Sequence, residues 1–239
     1  MASKKIKKQK TQTETVAKAE WQAFIDLLEQ RAKTYGLLSR LYRREIDQGF
    51  LDELKKMRYP ANTGNANIDK GYLMIVTYLS NLWSDSLTEL SIDYAKTFIG
   101  YGSDTYSAAY PFESVHTSEM RLLMQDARDE VLAKYAKSGL AKQKSFKEAE
   151  DHISLEMDYM IILNERTIEA LRSGDEEYAL HQLFEQKEFL ANHLYAWVPM
   201  MTSDVRRIAR TEFYHGLAWL TDGFLETDFE FLEDMAGED

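Results

Sequence analysis

The scarcity of helix breakers constrains this chain most. Its 239 residues contain three prolines, at positions 60, 111 and 199, and 11 glycines. Between them run long stretches in which apolar residues recur every three to four positions, the period of a helix with one buried face. Alternating β-branched runs, the mark of half-buried strands, are absent. The chain therefore reads as all-α. With 44% hydrophobic residues it can bury a sizeable core, and its length leaves one or two domains open.

Taken in order, residues 1–14 are polar and lysine-rich and read as a disordered tail. A first helix over about 15–45 carries Trp21, Phe24, Ile25, Leu28, Tyr35, Leu38 and Tyr42 as its apolar stripe. A short helix near 50–58 stops before Pro60, and 59–67 is a loop rich in Asn and Gly. Helices follow near 68–83, 86–99, 118–138, 146–173, 175–193 and 204–225, with Gly139 and Gly174 as C-terminal stops. Glu226–Asp239 is an acidic segment that frays or docks. The helical domain is thus expected over 15–225. No internal repeat stands out.

Charge narrows the partners. There are 29 basic and 40 acidic residues, and 29 − 40 = −11. An acidic surface disfavours nucleic acid and suits a basic partner. The absence of cysteine removes disulfides, thiol catalysis and cysteine-bound zinc, and fits a reducing compartment. No apolar run approaches the roughly 20 residues that span a bilayer. Met1–Lys10 is basic but lacks a following apolar region, so it is not a secretory signal. Arg43-Arg44 and Arg206-Arg207 are internal and helical in context.

The densest cluster of chemistry-bearing residues is Lys147-Glu148-Ala149-Glu150-Asp151-His152-Ile153-Ser154-Leu155-Glu156-Met157. Ser145 with Glu148 fits a capping box, which predicts a helix opening here and running to about Leu171. At 100° per residue, Glu148, Asp151, His152, Leu155 and Tyr159 share one side, and Ile153, Met157, Met160, Ile161, Ile168 and Leu171 the other. Two carboxylates and an imidazole then stand at the mouth of a core. Each also has a plain role: Glu148 as a cap, Asp151 beside a helix dipole, His152 as a packing residue. A second notable stretch is 101–117, where Tyr101, Gly102, Ser103, Asp104, Tyr106, Tyr110, Pro111, Phe112, Glu113 and Ser114 show no periodicity. A loop this long in a helical protein is usually functional or mobile, and aromatics mixed with small polar residues suit adaptable binding.

Together these stretches resemble the TorD/DmsD/NarJ family of cytoplasmic chaperones for molybdenum-containing redox enzymes. The resemblance rests on Glu148-x-x-Asp151-His152, with Ala149 where the family usually has proline, and on Tyr110-Pro111-Phe112-Glu113-Ser114, with Phe112 for tyrosine. Asp93-Tyr94 followed by Phe98-Ile99-Gly100, and Phe189-x-x-x-His193-x-x-x-Trp197-x-Pro199, continue it in the same order. It extends from about residue 31 to 222. Taken alone, the residues at 93–100 and 189–199 read as packing, with Gly100 near a C-cap.

The resemblance implies a single all-α bundle domain of about ten helices and a non-enzymatic function. It implies a cytoplasmic chaperone that binds the twin-arginine leader of a molybdopterin oxidoreductase precursor and holds it for cofactor insertion before export. No cofactor of its own is expected. A monomer or a domain-swapped dimer fits the family. The expected leader groove is walled by Tyr110, Pro111, Phe112, Glu113 and Ser114 on one side and Glu148, Asp151 and His152 on the other, with Trp83 as a further apolar wall. The leader's arginines would face Glu113, Glu148 and Asp151, and its apolar segment Phe112. The alternative is a metal-dependent helical-bundle enzyme. Glu148/His152 and His152/Glu156 have ligand spacing, and Glu212-Phe213-Tyr214-His215 has the Glu-x-x-His spacing that a dimetal bundle uses twice. Some family members bind guanine nucleotide, but no Gly-rich phosphate loop is present here.

Overall fold

The computed structural model describes residues 2–101 and 108–236, with side chains from Trp21 onward. Its helices are α1 (Ala2–Arg43), α2 (Gln48–Lys56), α3 (Ala66–Ser80), α4 (Ser86–Tyr94), α5 (Glu113–Thr117), α6 (Asp126–Lys137), α7 (Ile153–Ser173), α8 (Glu176–Phe189), α9 (Tyr195–Ile208) and α10 (Glu212–Ala236). Single π turns, Ala95–Ile99 and Leu190–Leu194, extend α4 and join α8 to α9. Among the described residues there is no strand, only one isolated antiparallel bridge between Phe112 and His152. The protein is all-α, as its periodicity predicts.

Two helix pairs organise the bundle: α3 packs along α10, and α1 along α7. The first pair is in backbone contact. A Cβ on Gly71 would lie 2.7 Å from the Gly216 carbonyl oxygen, and one on Gly216 would lie 2.8 Å from that of Gly71. Only glycine permits this approach. The core between the pairs holds the fully buried rings of Tyr35, Tyr42, Phe189, Trp197, Phe213 and Tyr214. Of the stripe expected on α1, Ile25, Leu28, Tyr35, Leu38 and Tyr42 are buried, while Trp21 is exposed.

Helix ends follow local chemistry. Asp47, Asn65 and Asp175 accept hydrogen bonds from the first-turn N–H groups of α2, α3 and α8. Gly100 and Gly174 end their helices at φ +78° and +81°. The start of α10 is capped from a distance: both oxygens of buried Asp93 accept from the backbone N–H of Arg210 and Thr211.

Several expected boundaries differ. The lysine-rich stretch 2–14, read as a tail, belongs to the α1 backbone. Of the acidic segment from 226, residues 226–236 belong to α10, where Asp228 and Leu232 are buried. Asp228 is held by Arg31 through two hydrogen bonds, of 2.5 and 2.9 Å, and by the Tyr35 hydroxyl. Pro199 lies inside α9, so the chain stays helical through 195–208 where the sequence suggests a gap. Helix α6 begins only at Asp126, because Arg121 and Met124 take left-handed conformations (φ +52° and +59°) that a helix excludes. No helix among the described residues is long and apolar enough to cross a membrane.

Candidate functional site

The capping box at Ser145 and Glu148 is not used. Residues 145–152 are irregular, and α7 opens at Ile153 with His152 as its N-cap. Tertiary pairing overrides the local signal. The Glu113 N–H donates to the Asp151 carbonyl at 3.0 Å, and the Ile153 N–H donates to that of Pro111 at 3.0 Å. Asp151 Oδ2 accepts from the Ser114 N–H at 2.9 Å. This two-stranded contact pins the 110–114 segment onto the start of α7. The pairing of these two stretches matches the expectation, but Glu148, Asp151 and His152 do not share a helix face.

The contact sorts the expected binding residues into two layers. Tyr110, Pro111, Phe112, Glu148 and His152 line one hollow of about 580 Å³. Glu113, Ser114 and Asp151 are buried: Glu113 is hydrogen-bonded to His193 and Asp151 Oδ2 to the Ser114 N–H, while Asp151 Oδ1 and Ser114 Oγ have no hydrogen-bond partner. Glu113 and Asp151 are therefore not exposed at the hollow's surface, unlike Glu148. Phe112 is only 7% exposed, so it supports the hollow more than it offers a free surface. Trp83, 58% exposed, lines a separate recess with Ile92, Lys96 and Arg210. Gly102, Ser103, Asp104 and Tyr106 lie outside the described residues.

Below the hollow runs a buried polar network. His193 Nδ1–H donates to Glu113 Oε2 at 3.0 Å. Trp197 Nε1–H donates to Glu156 Oε2 at 3.0 Å. His116 stacks on Trp197 at 5.4 Å, and its Nε2–H donates to the Tyr110 carbonyl. Burial, then the charge of Glu113, pushes the Glu156 carboxyl well above the usual carboxylate range. Burial raises Glu113 too, against the opposing pull of His193. His152 goes the other way. Burial, then the nearby Arg43 guanidinium, lowers its pKa to about 3. Its neutral Nδ1 accepts from the Ser154 N–H at 3.1 Å, and its ring meets Phe112 and Phe146 edge-on.

These partners also answer the metal reading. Glu156 is turned to Trp197, and His215 Nε2–H donates to the Ala209 carbonyl. Among the described residues, no group of three His, Asp or Glu side chains is arranged to hold an ion.

Several lining residues escape sequence reading. Arg43 and Arg44 at the end of α1, Tyr94 and Phe98, and the exposed side chains of Ile99 (59%) and Leu123 (47%) complete the hollow. Leu123 belongs to Met120-Arg121-Leu122-Leu123-Met124, whose four apolar side chains are all exposed. A run of that kind just before the helix-opening Asp126 was the available signal, but it merges with the periodicity of α6.

The sequence model of the nitrate reductase delta subunit family matches residues 65–203. The chain belongs to this family. The matched span contains every expected site residue, from Trp83 to His152. Relatives extend the likeness over most of the chain. A chaperone protein TorD of Aliivibrio salmonicida is 30% identical over 88% of this chain and 96% of its own length. Those of Vibrio parahaemolyticus and Psychrobacter sp. are 24% and 26% identical, over 85% and 86% of this chain and 95% and 93% of theirs. These family members are named as chaperones, which supports a non-enzymatic role for this one.

Proposed function

We propose that this protein is a cytoplasmic chaperone that captures the N-terminal leader, of the twin-arginine kind, of a molybdopterin oxidoreductase precursor and holds the apoenzyme until its cofactor is inserted. The hollow over the 110–114 segment and His152 carries the reading. It combines a preformed floor, fixed by the Asp151 and Glu113 contacts, with exposed apolar side chains at Ile99 and Leu123. Peptide grooves are built this way, with rigid pockets for apolar anchors. Family membership supports the client class.

Titration calorimetry with a synthetic leader from a molybdopterin oxidoreductase tests the proposal. Saturable binding is expected, and it should disappear when the leader's apolar stretch is replaced by serine and glycine. No heat with the native leader sinks the reading.

A further inference from the structure

Between α5 and α6, Met120, Leu122, Leu123 and Met124 are large apolar side chains that stand about half exposed or more. None of the four packs into the core. Among the described residues, the hydrogen bonds of 119–124 stay local. The Arg121 N–H donates to the Ser118 carbonyl, the Leu122 N–H to Ser118 Oγ, and Gln125 Nε2–H to the Leu123 carbonyl. The segment is therefore held at its ends, by α5 and α6, and not along its length. Arg121 and Met124 have left-handed backbone, at φ +52° and +59°. Residues other than glycine occupy that region at a cost, and such strain gathers in clamps and switching segments. A run of apolar side chains left in water on a folded protein marks a surface that a partner covers.

The place and charge of the run point to its occupant. Leu123 lines the hollow over Phe112 and His152 together with exposed Ile99, so the run is continuous with that hollow. Exposed Glu119 precedes it, and exposed Asp126 and Glu130 follow it. Arg121 is its own cation, and the next one, Arg128, is held by Glu150 and Asp129. Apolar surface framed by carboxylates suits a segment that is both apolar and cationic, which is the composition of a leader. A second copy of this chain fits less well: with a net charge of −11 it would set carboxylate against carboxylate.

We infer that residues 119–124 form a strap that closes over the apolar stretch of a leader seated in the hollow, so that Met120, Leu122 and Met124 join Leu123 in covering it. This rests on the leader-binding reading and adds what is recognised: apolar bulk, not a fixed order of side chains. The unbranched, polarizable methionine side chain refits to partners of different shape, and Met-rich surfaces serve where binding has to be permissive. Closure costs the strap no hydrogen bond to the body of the protein, because its bonds run to Ser118 and Gln125 at its own ends.

The probe is a methionine-free synthetic leader, two arginines followed by an apolar stretch of about 12 residues. Met120 and Met124 are 67% and 65% exposed, and Met200 and Met235, 44% and 40% exposed on α9 and α10, serve as references. Under limiting peroxide, mass spectrometry should show Met120 and Met124 oxidising several-fold more slowly once leader saturates the protein, with Met200 and Met235 unchanged. Met120→Ser, Leu122→Ser and Met124→Ser combined should leave the melt unchanged and weaken the leader at least several-fold. Leaders whose leucines are replaced by phenylalanine or by valine should bind nearly as well. A leader that binds without protecting Met120 and Met124, a triple variant of unchanged affinity, or a leader that tolerates neither replacement overturns the inference and leaves leader binding standing. Protection that follows protein concentration with no leader present assigns the strap to a second copy and overturns it as well. If the unaltered protein binds no leader at all, the leader-binding reading itself falls, and the strap's role with it.

Discussion

The carboxylate of Asp151 caps the first turn of α5 by accepting the Ser114 N–H at 2.9 Å, while its own carbonyl accepts from the N–H of Glu113. One fully buried residue thus holds the candidate loop at two points. Asp151 acts on the loop from within the protein, while His152 of the same signature lines the hollow. Asp151→Ala leaves a buried N–H unpaired, which costs about 1–3 kcal/mol. Urea denaturation should show that loss without any peptide present. Leader affinity should fall only as far as the loop loosens. A variant with unchanged stability and lost binding would return Asp151 to the binding surface.

The helical class and most of the core on α1 and α7 are legible in the sequence because 3.6-residue periodicity reports burial directly. The same signal fails at 145–152 and 118–125. At the first, a good local capping box loses to hydrogen bonds from residues 37 positions away in sequence. At the second, left-handed Arg121 and Met124 interrupt a pattern that reads as continuous helix. Motif order brought 110–114 and 148–152 together correctly. Which of their side chains face outward depends on that tertiary pairing, so Glu113 and Asp151 could not be separated from Glu148 beforehand.

Arg31 and Asp228 join the first and last helices through a bidentate pair buried on both sides. Arg31 also donates to Asn164 and Gln186. Removing one partner of such a pair strands the other charge, at a cost of about 3–5 kcal/mol. Arg31→Met should lower the thermal midpoint sharply, and truncation before Asp228 should do the same. Replacing the exposed Glu233 should not. A truncated chain of unchanged stability would rule out docking of the acidic segment as a structural element.

Titration of His152 gives stability a predictable sign. Its folded pKa of about 3 lies below the unfolded value of about 6.5. Between those values the unfolded chain binds the extra proton, so stability is lost as pH falls through this window. Glu156 and Glu113 act oppositely: their folded values are raised, and their contribution is lost as pH rises above the unfolded carboxylate range. His152→Gln should therefore flatten the acid side, by up to about 1.4 kcal/mol per pH unit. Glu156→Gln should flatten the rise-dependent loss. Denaturation curves at stepped pH decide this. Parallel slopes for wild type and His152→Gln would show that His152 does not titrate on unfolding.

Phe112 and Leu123 line the same hollow but should answer differently. Phe112 packs against Val115, Ala149 and Tyr110 and meets the His152 ring at 5.0 Å. Truncating a buried phenylalanine costs about 3–5 kcal/mol, so Phe112→Ala should destabilise the protein, and any change in leader binding will be mixed with that loss. Leu123 is nearly half exposed. Leu123→Ser should change stability by no more than about 0.5 kcal/mol. It should nevertheless speed dissociation of a bound leader, because apolar anchors govern residence time. Charge enters elsewhere. The exposed rim carboxylates Glu45 and Glu148 are screened by salt and steer encounter more than they hold the complex. Raising salt should thus slow association of a leader while leaving its dissociation nearly constant. Surface plasmon resonance on an immobilised leader separates the two rates. Unchanged dissociation for Leu123→Ser, with a normal melt, would move the apolar contact away from this hollow.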